Sequence, residues 1–146
     1  MGGEKINSRK VAKTQRKKEG MMTENEIAKI IVNVAYNIHV KLGPGLLESV
    51  YEEILYYELK KHSLIVERQK AIPVIWDGRK MEIGFRADII VENKVIVELK
   101  SIERIAPVHP KQLLTYLKIT NLKLGLLINF NEKLIKDGIT RIVNHL

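Results

Sequence analysis

Asp88, Glu98 and Lys100 are the residues whose types and spacing best suit a chemical role. They lie in residues 84–100, which predict two β-strands joined by a polar turn at Glu92-Asn93-Lys94. Side chains alternate between the two faces of a strand. The odd positions are apolar and are predicted to face the core, and the even positions carry four charged residues, which are Arg86, Asp88, Glu98 and Lys100.

The pairing register decides whether the two carboxylates meet. A two-residue turn would oppose Asp88 to Val97 and mix the two faces, because a slip of one residue reverses the face of every side chain. A three-residue turn that includes Lys94 opposes Asp88 to Glu98 and keeps the apolar residues together. We therefore predict the three-residue turn, with Asn93 in the left-handed conformation that such loops require.

Two ionised carboxylates side by side need a compensating charge. At ~4 Å and an effective dielectric constant of ~20 their repulsion costs about 4 kcal/mol. Arg86 and Lys100 can supply the compensation, which would make the cluster an ordinary charged surface. A divalent cation can also supply it, since Mg²⁺ is held by one or two carboxylates with waters and substrate phosphates, and the backbone carbonyl of Leu99 can add a ligand. The residues alone leave both interpretations open.

Further polar residues share helical faces. Glu48 lies three residues before Tyr51 and four before Glu52 on a predicted helix, and Gln112 lies four residues before Tyr116 on another. Each spacing alone also suits an exposed helix edge or a packed tyrosine. The four histidines have no mutual spacing for metal binding, and the chain has no Gly-rich phosphate loop, serine nucleophile elbow or zinc motif.

The elements that must position these residues follow from hydrophobic periodicity and breakers. Helices are predicted at residues 23–42, 46–62 and 111–120, and β-structure at residues 64–76, 81–91, 95–100, 124–130 and 138–143. Thr23 and Glu26 have capping-box spacing, and Gly43-Pro44-Gly45 ends the first helix. Asp77-Gly78 predicts a tight turn. The order ααβββαββ predicts an α+β (mixed α/β) fold, with one sheet and flanking helices.

Composition limits the class of protein. The chain has 146 residues, 45% of them hydrophobic, and no cysteine, which predicts one domain and excludes disulfides and thiolate metal sites. No long apolar run or signal peptide is evident, so we expect a cytoplasmic protein that does not enter a membrane.

The formal charge of +8 is concentrated at the N-terminus. Residues 1–20 hold seven Lys or Arg against two Glu and almost no apolar residues, so we predict a disordered basic tail before a domain at residues 21–146. The tail suits contact with phosphates, but it also suits a solubilising extension or sequence upstream of a start at Met21 or Met22.

Four motifs in one order resemble a known family. Gly45-Leu46-Leu47-Glu48-Ser49-Val50-Tyr51 has the form G-x-x-E-x-x-Y. It is followed by Asp88 with Glu98-Leu99-Lys100, by Gln112 with Tyr116 and Leu117, and by residues 125–130, Gly-Leu-Leu-Ile-Asn-Phe. Together they resemble the GxxExxY family of the PD-(D/E)xK nuclease-like superfamily, over about residues 23–143. Ala87 stands where the superfamily pattern has proline.

The resemblance implies a restriction-endonuclease-like core and a hydrolase that cuts phosphodiester bonds of DNA or RNA with Mg²⁺ or Mn²⁺. It implies that Asp88, Glu98 and the Leu99 carbonyl bind the metal, and that Lys100 assists the attacking water. Glu48 completes the acidic cluster and is a further metal ligand. The implied substrate-binding residues are Tyr51, Gln112 and Tyr116.

Two other interpretations accompany the nuclease. The domain can be a non-catalytic module that binds nucleic acid or another protein while keeping the nuclease fold. It can also form a homodimer through a tyrosine-rich surface of the second helix, made by Tyr51, Tyr56 and Tyr57.

Overall fold

Two helices open the part of the chain that the computed structural model describes, residues 22–146. They are α1 (Glu24–Leu42) and α2 (Glu48–Lys61). The Thr23 hydroxyl accepts a hydrogen bond from the Glu26 N–H at 3.1 Å, as the predicted capping box requires. The basic tail predicted at residues 1–20 lies outside the described residues.

Seven strands, two further helical segments and two sheets complete the fold. The strands are β1 (Val66–Ile72), β2 (Ile75–Trp76), β3 (Arg79–Lys80), β4 (Phe85–Val91), β5 (Val95–Lys100), β6 (Leu124–Asn129) and β7 (Ile139–Val143), and the helices are α3 (Val108–Thr120) and α4 (Ile135–Gly138). The main sheet has the order β1-β4-β5-β6-β7, and β2 pairs only with β3. Only β5 and β6 are parallel in the main sheet, and α3 makes the crossover between them.

Helices cover both faces of the main sheet. α1 and α2 pack with the sheet in one apolar cluster, and α3 packs on the other side in a second cluster around Ile90, Ile96 and Leu127. β6 is buried along its whole length, as its unbroken apolar sequence predicted. The predicted α+β fold, a mixed central sheet flanked by helices, is confirmed. No helix within residues 22–146 combines the length and the hydropathy that crossing a bilayer requires.

The β4–β5 hairpin has the predicted register. Val91 pairs with Val95 and Ile89 with Val97, which leaves residues 92–94 as the turn. Glu92 and Asn93 both have positive φ, 53° and 51°, and the Lys94 N–H donates to the Val91 carbonyl at 3.0 Å. The three-residue turn and the left-handed Asn93 are therefore confirmed.

The prediction that all odd positions of this hairpin share one core face was wrong. Phe85 and Ala87 pack in the cluster on the α3 side, whereas Ile89 packs in the cluster with α1 and α2. The change occurs at Asp88, where one residue pair of the β1–β4 ladder is missing. Gln69 would oppose Asp88 in that pair, and its φ is 51°. The left-handed residue on β1 therefore lies opposite the point where the faces of β4 exchange.

Several predicted boundaries were also wrong. β4 begins at Phe85 rather than Met81, and α3 begins at Val108 rather than Lys111. Pro110 lies in the first turn of α3, where the missing N–H costs no helical hydrogen bond, so it does not break the helix. Gly138 ends α4 instead of beginning the last strand.

Candidate active site

Asp88 lies where the β4–β5 ladder stops. The last backbone pair is Ile89 with Val97, and beyond it the Oδ2 of Asp88 accepts a hydrogen bond from the Leu99 N–H at 2.9 Å. The carboxylate therefore takes the place of a backbone carbonyl. The N–H and C=O of one strand residue point to the same edge, so the Leu99 carbonyl also faces Asp88.

Glu98 is mostly buried beside Asp88 and has an unpaired oxygen. Within residues 22–146, its Oε1 is the one buried side-chain nitrogen or oxygen that lacks a hydrogen-bond partner. Burial, followed by hydrogen bonding to the Asp88 carboxyl and its negative charge, raises the pKa of Glu98 to about 9. Glu98 therefore retains its proton at neutral pH unless a cation replaces it.

Glu48 is the first residue of α2 and belongs to the same electrostatic cluster. Burial raises its pKa, the charge of Lys100 acts to lower it, and Asp88 and Glu52 raise it further. Glu48 and Glu98 each interact electrostatically with Asp88 and Lys100, near the open end of the β4–β5 hairpin. Four residues of the sequence motifs therefore lie within electrostatic range of one another, and their roles stay a prediction.

Tyr116 and Gln112 approach this cluster from α3. Burial raises the pKa of Tyr116, the charges of Glu98 and Asp88 raise it further, and a hydrogen bond from Gln112 acts in the opposite direction. Tyr116 also stacks on Phe85, with ring centroids 3.7 Å apart. A Cβ at Gly125 would lie 2.9 Å from the Leu113 side chain, so glycine on β6 lets α3 approach the sheet closely.

The family model of the PD-(D/E)XK nuclease superfamily matches residues 25–142, which cover most of the chain and all of the clustered residues. The chain belongs to the PD-(D/E)XK nuclease superfamily. No curated protein and no solved structure gives a match.

Nucleases of the PD-(D/E)XK superfamily generally depend on a divalent metal, and the donor groups of this member suit one. The part of the chain that the structure describes has no group of three or more His, Asp or Glu side chains that could hold a metal ion. Mg²⁺, however, needs only one or two carboxylates, because waters and substrate phosphates complete its octahedron. Asp88, Glu98 and the Leu99 carbonyl meet that requirement, and a cation would give the unpaired Oε1 of Glu98 a partner.

The position of Tyr51 does not agree with the substrate-binding role that was predicted for it. Its side chain is fully buried and stacks on Phe130 with centroids 4.4 Å apart. Its hydroxyl donates to the Gly43 carbonyl at 2.5 Å and accepts from the Leu46 N–H at 3.2 Å. A side chain so enclosed cannot contact a substrate, so the substrate-binding prediction for Tyr51 was wrong.

The burial of Tyr51 also removes it from the predicted tyrosine-rich dimer surface. Tyr57 remains 62% exposed, and Tyr56 is half-buried. Dimerisation through α2 stays a prediction.

Sequence reasoning missed the residues that support Asp88. Buried Glu52 accepts hydrogen bonds from Arg68, at 2.7 Å, and from Gln69, and Gln69 also donates to the Oδ1 of Asp88 at 3.4 Å. A carboxylate almost never lies buried without a charged partner, and Glu52 has one in Arg68. The only sequence signal was that Glu52 shares a helical face with Glu48.

Asn129 belongs to the motif at residues 125–130, and the structure shows that its side chain fixes the backbone at Ile102. It is fully buried at the end of β6, and its side chain accepts from the Ile102 N–H at 3.1 Å and donates to the Ile102 carbonyl at 2.8 Å. The Ser101 hydroxyl donates to the Leu46 carbonyl at 2.6 Å. The chain directly after Lys100 is thus tied both to β6 and to the loop that precedes Glu48.

Proposed function

We propose that this chain is a metal-dependent nuclease that hydrolyses phosphodiester bonds of DNA or RNA. The observation that supports it best is the unpaired oxygen of Glu98 beside Asp88, at a point where the sheet ladder opens. Leaving a buried carboxylate oxygen without a partner costs free energy. A functional requirement for that oxygen, such as metal binding, would account for this cost in a member of a nuclease superfamily.

We further propose that the chain belongs to the GxxExxY family, because each motif residue has a physical role here. Gly45 has a φ of 106°, which favours glycine, and it lies in the loop before α2. Glu48 begins α2 and belongs to the acidic cluster. Tyr51, three residues later, fixes the loop through Gly43 and Leu46. The motif would therefore hold one carboxylate at a fixed place over the sheet edge.

In the proposed mechanism, Asp88, Glu98 and the Leu99 carbonyl would hold Mg²⁺ or Mn²⁺, and Glu48 would add a further ligand. Such a cation would supply two effects, the orientation of a substrate phosphate and a water of lowered pKa. The Leu99 N–H keeps Asp88 pointed at the site through its hydrogen bond to Oδ2. Lys100 positions the attacking water or stabilises the negative charge of the transition state. Gln112 and Tyr116 contact the substrate from α3.

A cleavage assay tests the proposal. Purified protein is incubated with single- and double-stranded DNA and RNA, with Mg²⁺, with Mn²⁺ or with chelator. We expect metal-dependent cleavage that Lys100→Ala abolishes. Lys118→Ala, which removes an exposed lysine from α3, serves as the matched control and should cut like the wild type. Equal, chelator-resistant traces of cleavage in wild type and Lys100→Ala would rule out catalysis at this site.

A second candidate function is a non-catalytic module that binds nucleic acid or protein. It is favoured by one observation, that the described residues hold no group of three acids or histidines arranged to hold a metal. Calorimetric titration with Mg²⁺ separates the two candidates. The nuclease should bind the ion in the wild type and lose binding in Asp88→Asn, whereas the module should give the same result for both proteins.

A further inference from the structure

An exposed arm interrupts the sheet between β1 and β4. The arm comprises residues 73–84 and contains the β2–β3 hairpin, in which Trp76 pairs with Arg79 and Ile75 with Lys80. Asp77 and Gly78 both have positive φ, 55° and 74°, as the predicted tight turn requires. Every residue from Ile75 to Gly84 is exposed, so the arm does not contribute to either apolar cluster.

The base of the arm is fixed to the sheet. Ile72 pairs with Phe85, so the chain leaves and re-enters the sheet at neighbouring positions. A Cβ at Gly84 would lie 2.2 Å from the Ile72 carbonyl oxygen, so only glycine permits this approach of two backbones. The Met81 N–H donates to the Val74 carbonyl at 2.8 Å and extends the hairpin toward its base. The arm therefore has a defined position relative to β4.

The arm presents an aromatic ring next to unpaired cations. Trp76 is 72% exposed, although burying a tryptophan would remove a large apolar surface from water. Arg79 is its cross-strand partner, so the two side chains share one face of the hairpin. Within residues 22–146, the side chains of Arg79, Lys80 and Arg86 make no ion pair. The arm also carries two exposed acids, Asp77 and Glu82. They do not fully offset the charge of the three cations, so this surface remains positive.

A groove lies between the arm and the start of β4. It has a volume of about 390 Å³, and its lining includes Lys80 and Glu82 from the arm and Phe85 and Arg86 from β4. Phe85 stacks on Tyr116, and burial, followed by the charges of Glu98 and Asp88, raises the pKa of Tyr116. Phe85 and Asp88 are three residues apart on β4, about 10 Å, which corresponds to about three stacked nucleotides of one strand.

We propose that the arm binds unpaired nucleotides of a nucleic acid strand whose scissile phosphate lies at the acidic cluster. Trp76 stacks on an exposed base, and Arg79, Lys80 and Arg86 contact backbone phosphates. An aromatic platform within a cationic groove is the usual means of holding single strands. In a duplex both faces of each base are already stacked, so the arm selects single-stranded or locally opened substrate. The path of the strand past Asp88 rests on the proposed function, but binding by the arm does not require catalysis.

Trp76 is the sole tryptophan of the chain, so its fluorescence reports binding at the arm directly. The full chain is titrated in chelator with oligodeoxythymidine, with oligouridine and with a duplex of matched length. We expect quenching by the single strands and little quenching by the duplex. The difference between the two single strands shows whether DNA or RNA is preferred. Binding of single strands without any change in Trp76 fluorescence would overturn the proposal.

Variants measure how much the arm contributes to affinity. By anisotropy of a labelled single strand, Trp76→Ala should bind about tenfold more weakly, whereas Trp76→Phe, which keeps an aromatic ring, should lose much less. Arg79→Gln and Lys80→Gln should each reduce the dependence of affinity on salt concentration. Tyr57→Ala removes an exposed aromatic ring from α2 and should bind like the wild type. Unchanged affinity in Trp76→Ala would overturn the proposal.

A parallel cleavage assay keeps the two proposals apart. If the wild type cuts nucleic acid but Trp76→Ala binds single strands normally, the arm proposal alone fails. If Trp76 mediates binding but the wild type cuts nothing, the arm proposal holds and the nuclease proposal fails.

Discussion

The two ends of the β4–β5 hairpin follow one alternating sequence but differ in structure. At the turn end, Ile90 pairs with Ile96, both side chains are buried, and the residue pairs of the ladder are continuous. At the open end the pairing stops, and the Asp88 carboxylate accepts a hydrogen bond from the Leu99 N–H. The turn end is ordinary sheet, whereas the open end replaces a backbone hydrogen bond with a side chain that can also bind a ligand.

This difference shows how a sheet can generate a site without adding elements. Where the ladder stops, backbone groups and side chains of β5 become available to α2 and α3. The free energy that holds the hairpin together comes from apolar packing at the turn end. The open end can therefore carry an unpaired carboxylate oxygen while the hairpin remains folded. Four substitutions, in order of decreasing expected effect, test this division.

Asp88→Asn should have the largest effect, and it should fall on activity. The amide oxygen can still accept the Leu99 N–H, so the backbone stays in place while the negative charge is lost. We expect cleavage to fall by about 10³-fold with little change in stability. Asp137→Asn, an exposed acid on α4, is the control. A variant that cuts as fast as wild type would show that the open end has no catalytic role.

Ile96→Ala should act in the opposite way, on stability rather than on the site. Ile96 is fully buried at the turn end, so truncation leaves a cavity between the sheet and α3. The free energy of unfolding should fall by about 2–5 kcal/mol, measured by urea denaturation. Ile83→Ala, at a position that is 83% exposed, should change it by less than about 0.5 kcal/mol. Equal losses in both variants would contradict the assignment of the core.

Glu98→Gln should stabilise the fold, and more so at higher pH. The pKa of Glu98 is about 9 in the folded chain against 4.5 in the unfolded one. Between these values the folded state holds a proton that the unfolded state has released, so stability is full below about pH 4.5 and declines toward pH 9. The glutamine variant lacks this decline, so its stability relative to wild type should increase steadily as the pH rises from 4.5 toward 9.

Thermal unfolding of wild type and Glu98→Gln across this pH range measures the difference. Mg²⁺ should stabilise wild type more at high pH, because it binds the ionised carboxylates and releases the proton of Glu98. The glutamine variant should show little of this metal effect. Parallel stability curves for the two proteins would mean that Glu98 does not carry the raised pKa.

Gln69→Ala should have the smallest effect. Alanine keeps the strained positive φ of this position, so only the hydrogen bonds to Glu52 and Asp88 are lost. Loss of an outer hydrogen bond to a metal ligand typically reduces metal affinity or activity by about tenfold or more. Calorimetry with Mg²⁺ measures it, and Lys70→Ala on the same strand is the control. A full loss of affinity would make Gln69 a direct ligand instead.

Local rules were sufficient to predict the hairpin register from the sequence. The apolar alternation and a turn that tolerates Asn93 left one pairing that kept the core together, and that pairing placed Asp88 beside Glu98. The capping box at Thr23 and the unbroken apolar run of β6 are equally local. The superfamily was recognisable because several short motifs occur in one order.

Features that depend on contacts between distant elements were not predictable. The left-handed Gln69 gives no composition signal, so the exchange of faces at Asp88 was missed. The role of Tyr51 follows from a stack on Phe130, far away in sequence. Periodicity cannot say whether a conspicuous tyrosine contacts a substrate or a neighbouring loop.

The pairing of Ile72 with Phe85 has a consequence for modification of this protein. The chain leaves the main sheet at Ile72 and re-enters it at the paired residue Phe85. Residues 73–84 are therefore an insertion that contributes little to the core. Replacing them with a tight turn should leave the sheet and the acidic cluster intact. Under the proposals made above, grafting this one segment between related chains should exchange their preference for single strands and leave the acidic cluster unaltered.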